Sequence, residues 1–299
     1  MRGPGTERIE AAEPATSTLL SDTDFALFQG LVYREAGIHL ASHKKALLVA
    51  RLGRRLRELG LGSHRAYLRR VGEDAAERVA MLDLLTTNET RFFREPHHFE
   101  FLERSLIPAW KAAAARGDRP RDVRIWSAGC STGEEPYSLA MCLLHHFPPL
   151  SGWSLHVHAS DLSTRALDRA FTGIYPEDRV SGVPEAYLRR FMLRGTGPCA
   201  GRVRVAPGVR ALVSFERLNL NDPFVAPGPF DAILCRNVLI YFDADSRRRA
   251  VERMAEHLAP GGHFFLGHSE SLNGVTDALR HVAPNIYVRP AERAAGRCA

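Results

Sequence analysis

The stretch Arg124–Met141, RIWSAGCSTGEEPYSLAM, constrains this chain more than any other. An apolar run, Val123 to Ala128, breaks off in Gly129-Cys130-Ser131-Thr132-Gly133; the acidic pair Glu134-Glu135 follows, then an amphipathic helical pattern from Tyr137 to about His145. Strand, glycine turn and helix start read as the first crossover of a nucleotide-binding α/β sheet. Glycines serve there because a ligand must come close to the backbone. A lone G-x-x-x-G also occurs in plain tight turns, and it is the acidic pair that gives this one meaning. Pyrophosphate wants bare N–H groups at a helix start, and two carboxylates repel it. They suit ribose hydroxyls, an amine or a sulfonium. The turn therefore fits a cationic, phosphate-free nucleoside, of which S-adenosylmethionine is the common one.

The 299 residues have room for one large domain or two smaller ones, and 45% apolar with 25% charged residues is ordinary for a globular chain. No run approaches the roughly 18 apolar residues of a membrane span. Residues 1–20 are polar, lack a signal-peptide core and read as a disordered tail; 291–299 read as a C-terminal tail. Five cysteines (Cys130, Cys142, Cys199, Cys235, Cys298) show no C-x-x-C pair. No metal site is therefore expected, and a reduced cytoplasm is. The net charge of +6 favours an acidic partner, nucleic acid or protein.

From Ser21 to about Asn88 the pattern is helical. Ser21 or Thr23 caps a helix carrying Phe25, Phe28, Leu31 and Val32 and closed by Gly37. Leu48, Leu52, Leu56 and Leu59 form the next apolar stripe. Beside it lie Lys44, Arg51, Arg54 and Arg55, a strip of one sign that Glu58 cannot neutralise: a solvated face, or a docking face for an acidic helix. Helices at about Ser63–Val71 and Ala75–Leu85 complete a helical domain, residues 21–95. In Thr86–Phe99, TTNETRFFREPHHF, Phe92 and Phe93 anchor an interdomain joint, and Asn88, Thr90 and Arg94 are candidates to face a cleft there.

A helix at about His98–Ala115 leads into a second domain, 96–290. Its second strand, Leu155–Ala159, ends at Asp161, placed to hold ribose hydroxyls, to cap the helix at Thr164–Phe171, or both. Two β-rich runs, Arg202–Val205 and Ala211–Phe215, flank Pro207-Gly208 and read as a hairpin inserted at about 190–217, a decoration or an edge for a peptide strand. After Asn219-Leu220-Asn221-Asp222-Pro223-Phe224, a buried strand, Phe230–Cys235, runs into RNVLIYF. Arg236, Asn237 and Tyr241 thereby sit where such sheets carry ligands. A helix (Asp245–Leu258) and strands at His263–Leu266 and Asn285–Arg289 follow.

In TTNETRFFREPHHF, WSAGCSTGEEPYSLAM, ASDLS, NLNDPF, ILCRNVLIYF and GHSESL the chain resembles the CheR family of bacterial chemotaxis methyltransferases, from about Ser21 to Arg289. The resemblance implies an α/β fold: a Rossmann-like S-adenosylmethionine-dependent methyltransferase sheet, an N-terminal all-helical domain and a small inserted antiparallel β subdomain. It implies transfer of methyl from S-adenosylmethionine to receptor glutamates, leaving S-adenosylhomocysteine. It further implies cofactor contacts from Asn88, Thr90, Arg94, Gly129, Glu135 (rather than Glu134), Asp161, Asn219, Leu220, Cys235 and Arg236, with Arg94 and Tyr241 nearest the methyl. The basic strip matches the family's receptor-facing helix, and the inserted hairpin resembles members that dock a receptor C-terminal peptide. A cytoplasmic monomer without membrane insertion is expected.

The chemistry asks little of the protein. A glutamate of pKa about 4.3 is already ionised at pH 7, so no general base is needed. Desolvation and in-line alignment limit the reaction. Arg94 or Arg236 would orient one carboxylate oxygen while the other attacks, with Tyr241 positioning substrate or methyl. A nucleic-acid methyltransferase is the nearest rival, but its amino-methylating branch needs an N-P-P-Y type loop and Asn221-Asp222-Pro223-Phe224 has one proline. A non-catalytic cofactor-sensing adaptor has no need of Arg94 and Tyr241. A dehydrogenase is disfavoured by the acidic turn.

Overall fold

The computed structural model describes residues 20–291; apart from one residue each, the two expected tails lie outside them. Four helices build the first domain: α1 (Asp22–Ala36), α2 (Lys45–Glu58), α3 (His64–Glu73) and α4 (Ala75–Leu85). Ser21 caps α1 by accepting the Asp24 N–H, a contact worth about 1 kcal/mol, and Gly37 ends it in the left-handed conformation. Their apolar stripes meet in one core, where Phe28, Leu52, Tyr67 and Met81 are fully buried.

Helices α5 (Pro96–Phe101) and α6 (Ile107–Arg116), joined by a π-helical turn (Leu102–Leu106), lead to the second domain. It comprises β1 (Asp122–Ala128), α7 (Glu134–His146), β2 (Ser154–Asp161), α8 (Thr164–Thr172), β3 (Ile174–Pro176), α9 (Glu185–Phe191), β4 (Met192–Arg194), β5 (Arg202–Val205), α10 (Pro207–Arg210), β6 (Val213–Arg217), β7 (Phe230–Cys235), α11 (Ala244–Glu256), β8 (Leu258–Leu266), β9 (Arg280–Ala283) and β10 (Ile286–Val288). Seven strands form one sheet in the order β6-β2-β1-β7-β8-β10-β9, parallel except where β10 runs antiparallel to both neighbours. Strand residues alternate between two cores. Val123, Ile125 and Leu234 face one, which α7 covers; Trp126, Ile233 and Cys235 face the other, which α11 covers. Burial on both faces is why these strands read as continuous apolar runs. Strand order reverses between β1 and β7, and a crevice opens there at the carboxyl ends.

The small antiparallel sheet is present, but its strands differ from expectation. β5 pairs with β3 and β4, so the insertion spans Ile174–Val205 instead of 190–217. Val213–Arg217 makes no hairpin with Arg202–Val205; the short α10 turns the chain away and β6 joins the edge of the main sheet beside β2. The proline-glycine pair starts that helix and is not a hairpin turn.

The basic strip also differs from expectation. Glu58 pairs with both Arg54 (2.8 Å) and Arg55 (3.3 Å). Arg55 additionally holds the buried Glu77 at 2.6 Å, and Arg51 donates to the Leu85 and Thr86 carbonyls. Most of that charge is thus spent inside the domain, where α2 packs on α4. Lys44 stays exposed in the short turn ahead of α2. Among the described residues no helix is long and apolar enough to cross a membrane.

Candidate active site

One pocket opens at the carboxyl ends of β1, β2 and β7 and is roofed by Ala36, Ile38, His39, Leu40, Lys44 and Leu47 of the helical domain. Its floor is the glycine turn. Gly129 (φ +79°) and Gly133 (φ +93°) adopt backbone that L-residues avoid, and a Cβ on Gly129 would strike Val238 Cγ2 at 2.4 Å. The Gly129 and Cys130 N–H groups donate to the Ser160 carbonyl, and the Ser131 N–H to Asp161 at 2.7 Å, so the turn is lashed to β2.

The two glutamates separate cleanly. Glu134 turns away, accepting Arg179 at 2.7 Å and the Thr132 hydroxyl at 2.6 Å, and does not line the pocket. Glu135 lines it, accepting the Ser127 hydroxyl at 2.7 Å with the Arg236 guanidinium 3.2 Å away. Burial pushes the Glu135 carboxyl up and Arg236 pulls it back; burial likewise pushes Asp161 up against N–H donation from Ser163 and Ser131. Two carboxylates held at a desolvation cost are partnered best by a cation or by hydroxyls. Asp161 accepts the Ser163 N–H, and Ser163 itself caps α8.

Asn88, Thr90 and Arg94 line the same pocket from the joint, as do Gly129, Asn219, Leu220, Arg236 and Tyr241. Phe92 is buried against Tyr175, and the Phe93 N–H donates to Ser138, which fixes the joint to α7. Arg94 is half-buried, and among the described residues its guanidinium makes one hydrogen bond, to the Glu89 carbonyl. Cys235 does not line the pocket. Strand alternation turns it into the core under α11, fully buried.

Arg236 is also placed differently from a substrate-facing arginine. Its side chain is 1% exposed, lies between Glu135 and Glu95 (3.5 Å) and donates to the Arg94 carbonyl. Glu95, Ser127 and Glu270 also belong to the site, although local pattern marks them only weakly. Glu270, from GHSESL, accepts the N–H groups of Asn237 and Gly267 (both 2.8 Å) and of Ile240 (3.2 Å), holding the loop that carries Tyr241. A glutamate just after an apolar strand and a glycine was the available signal. Asn237 adopts φ +59°, and its buried Oδ1, on the pocket wall, has no partner among the described residues.

Donor chemistry, close backbone approach and an orphaned carbonyl oxygen together fit a cationic nucleoside. Sheet order and pocket define the class of S-adenosylmethionine-dependent methyltransferases. Comparison of the sequence gives the family: residues 88–288 match the CheR methyltransferase SAM-binding domain and residues 23–86 the CheR methyltransferase all-alpha domain. The chain is 42% identical over 269 residues to chemotaxis protein methyltransferase 2 of Pseudomonas aeruginosa, covering 88% of this chain and 92% of that one. It is 43% identical over 258 residues to the chemotaxis protein methyltransferase of Escherichia coli, covering 85% and 86%. The chain belongs to the CheR methyltransferase family.

Proposed function

We propose that this chain methylates glutamate side chains of chemoreceptors, giving methyl esters. The observation that carries the reading is the convergence of Glu135, Asp161, Arg94 and Tyr241 on one pocket beneath the helical domain. Bound S-adenosylmethionine supplies an electrophilic methyl with a neutral leaving group. Glu135 and Asp161 hold its cationic and hydroxyl groups, helped by Asn88, Thr90, Asn219, Leu220 and the Gly129 turn.

Arg94, with most of its fork free, orients one oxygen of the substrate carboxylate, and Tyr241 positions the attacking group. Arg236 acts through Glu135 and Glu95 as a positioning residue, and Cys235 serves only as strand end. No side chain need remove a proton, because the nucleophile is already ionised. What the site contributes is alignment and a water-poor setting. Lys44 and the exposed flank of α2 face the receptor, and an edge of the small sheet takes the receptor's C-terminal peptide. The enzyme works in the cytoplasm as a monomer, with domains divided near residue 95.

Methyl-labelled cofactor, the purified chain and a receptor cytoplasmic fragment test the proposal. Label that leaves the receptor as methanol in mild alkali supports a carboxyl ester. Alkali-stable label would overturn the substrate group, and absence of S-adenosylhomocysteine binding would overturn the site.

A further inference from the structure

We propose that Glu103, Cys142 and His146 form a zinc site, separate from the cofactor pocket. Cys142 and His146 stand four residues apart and share one side of α7. Glu103 reaches them from the π-helical turn Leu102–Leu106, a geometry concentrated at functional positions. By helix rise, His146 lies about 16 Å along α7 from Glu135.

The ligand atoms lie within 4.8 Å of one another. Glu103 Oε1 accepts a hydrogen bond from the Cys142 thiol at 3.6 Å and lies 3.3 Å from His146 Nε2. A tetrahedral zinc with bonds of about 2.3 Å to sulfur and about 2.1 Å to nitrogen and oxygen has edges of roughly 3.4–3.6 Å. Both distances from Glu103 match. His146 Nε2 is shielded from solvent and faces the Glu103 carboxylate at ion-pair distance, with no well-formed hydrogen bond among the described residues. The Tyr187 hydroxyl donates to Glu103 Oε1 at 2.8 Å, as an outer residue that orients a ligand does.

Thiolate, imidazole and carboxylate together select zinc over magnesium or calcium. Cys142 is fully buried, whereas the His146 and Glu103 side chains are 26% and 32% exposed and leave an entry path. A search for cysteine pairs misses such a set, because its members come from two helices. The metal would staple α7 to the α5–α6 segment and, through Tyr187, to α9, which leads into the small sheet.

The test uses the full, tag-free chain, purified with zinc sulfate, dialysed against metal-free buffer and analysed by plasma mass spectrometry. About one zinc per chain is expected, with a thiolate-to-metal charge-transfer band when cobalt is substituted. Cys142→Ser should abolish the band and weaken zinc binding at least tenfold; Tyr187→Phe should weaken binding about tenfold and keep the band. Cys199→Ser, at an exposed cysteine, should change neither. S-adenosylhomocysteine binding reports that each variant is folded, and if Cys142→Ser fails there, Glu103→Gln and His146→Asn decide. Zinc at background in the unaltered chain, or zinc retained by the ligand variants, overturns the site.

Discussion

The Glu270 carboxylate accepts the backbone N–H of Asn237 at 2.8 Å, fastening the end of β8 to the turn that follows β7. Three N–H groups converge on this one side chain, and burial pushes its carboxyl up while they oppose the shift. Glu270→Ala leaves those donors without their acceptor. A stability loss of about 2–4 kcal/mol in urea unfolding is expected, with methyl transfer falling further than cofactor affinity because Tyr241 is released. Unchanged stability would refute the role.

Arg94 contributes little to the fold, since among the described residues its guanidinium bonds only the Glu89 carbonyl. Arg94→Ala should keep the thermal midpoint within a few degrees and lower kcat by roughly 100-fold. Steady-state kinetics on a receptor fragment checks this. Equal activity would remove Arg94 from the mechanism.

Glu134 and Glu135 should part company under the same substitution. Glu135→Gln removes the charge beside Arg236 and should weaken S-adenosylhomocysteine binding by at least tenfold, read by calorimetry. Glu134→Gln breaks the pair with Arg179, loosening the link to the Thr90 carbonyl, and should leave that affinity within about threefold.

The arginines of α2 divide in a similar way. Arg55→Ala abandons Glu77, whose carboxyl is held low by Arg55 and which Tyr67 alone would then bind. About 2–3 kcal/mol of stability should be lost. Lys44→Glu should leave stability unchanged and weaken receptor-fragment binding, which a pull-down titration would register.

Stability should fall on mild acidification. Burial, then Arg236, pushes His98 down to about 2; burial, then His156, pushes His158 down to about 4. Both are depressed relative to an unfolded value of about 6.5, so the unfolded chain binds more protons below that pH. Each then subtracts up to about 1.4 kcal/mol per pH unit, His158 between about 6.5 and 4 and His98 over the whole range down to about 2. Denaturant midpoints at pH 7.5, 6 and 5 should decline in that order, and His158→Gln should flatten the slope.

The sheet was legible because its strands are buried on both faces and its turns are marked by glycine. The glycine turn, Asp161 and the RNVLIYF strand end announce themselves by type and place. Partner choice is what local pattern does not carry. Arg55 reads as a docking charge until α4 brings Glu77 against it from 22 residues away. Val213–Arg217 has the same apolar alternation whether it pairs with β5 or with β2, and only the α10 turn decides. Strand parity, a local property, already turns the Cys235 side chain into the core, opposite Arg236.

Roof and floor of the pocket are sewn together across the domain boundary. Ile38 bridges to Phe242, the His39 N–H donates to the Tyr241 carbonyl at 2.8 Å, and the Asn219 amide donates to the Glu35 carbonyl at 2.6 Å. Contacts that close a pocket from a neighbouring domain are also where it would open, so a partner held by the helical domain would act on the pocket through them.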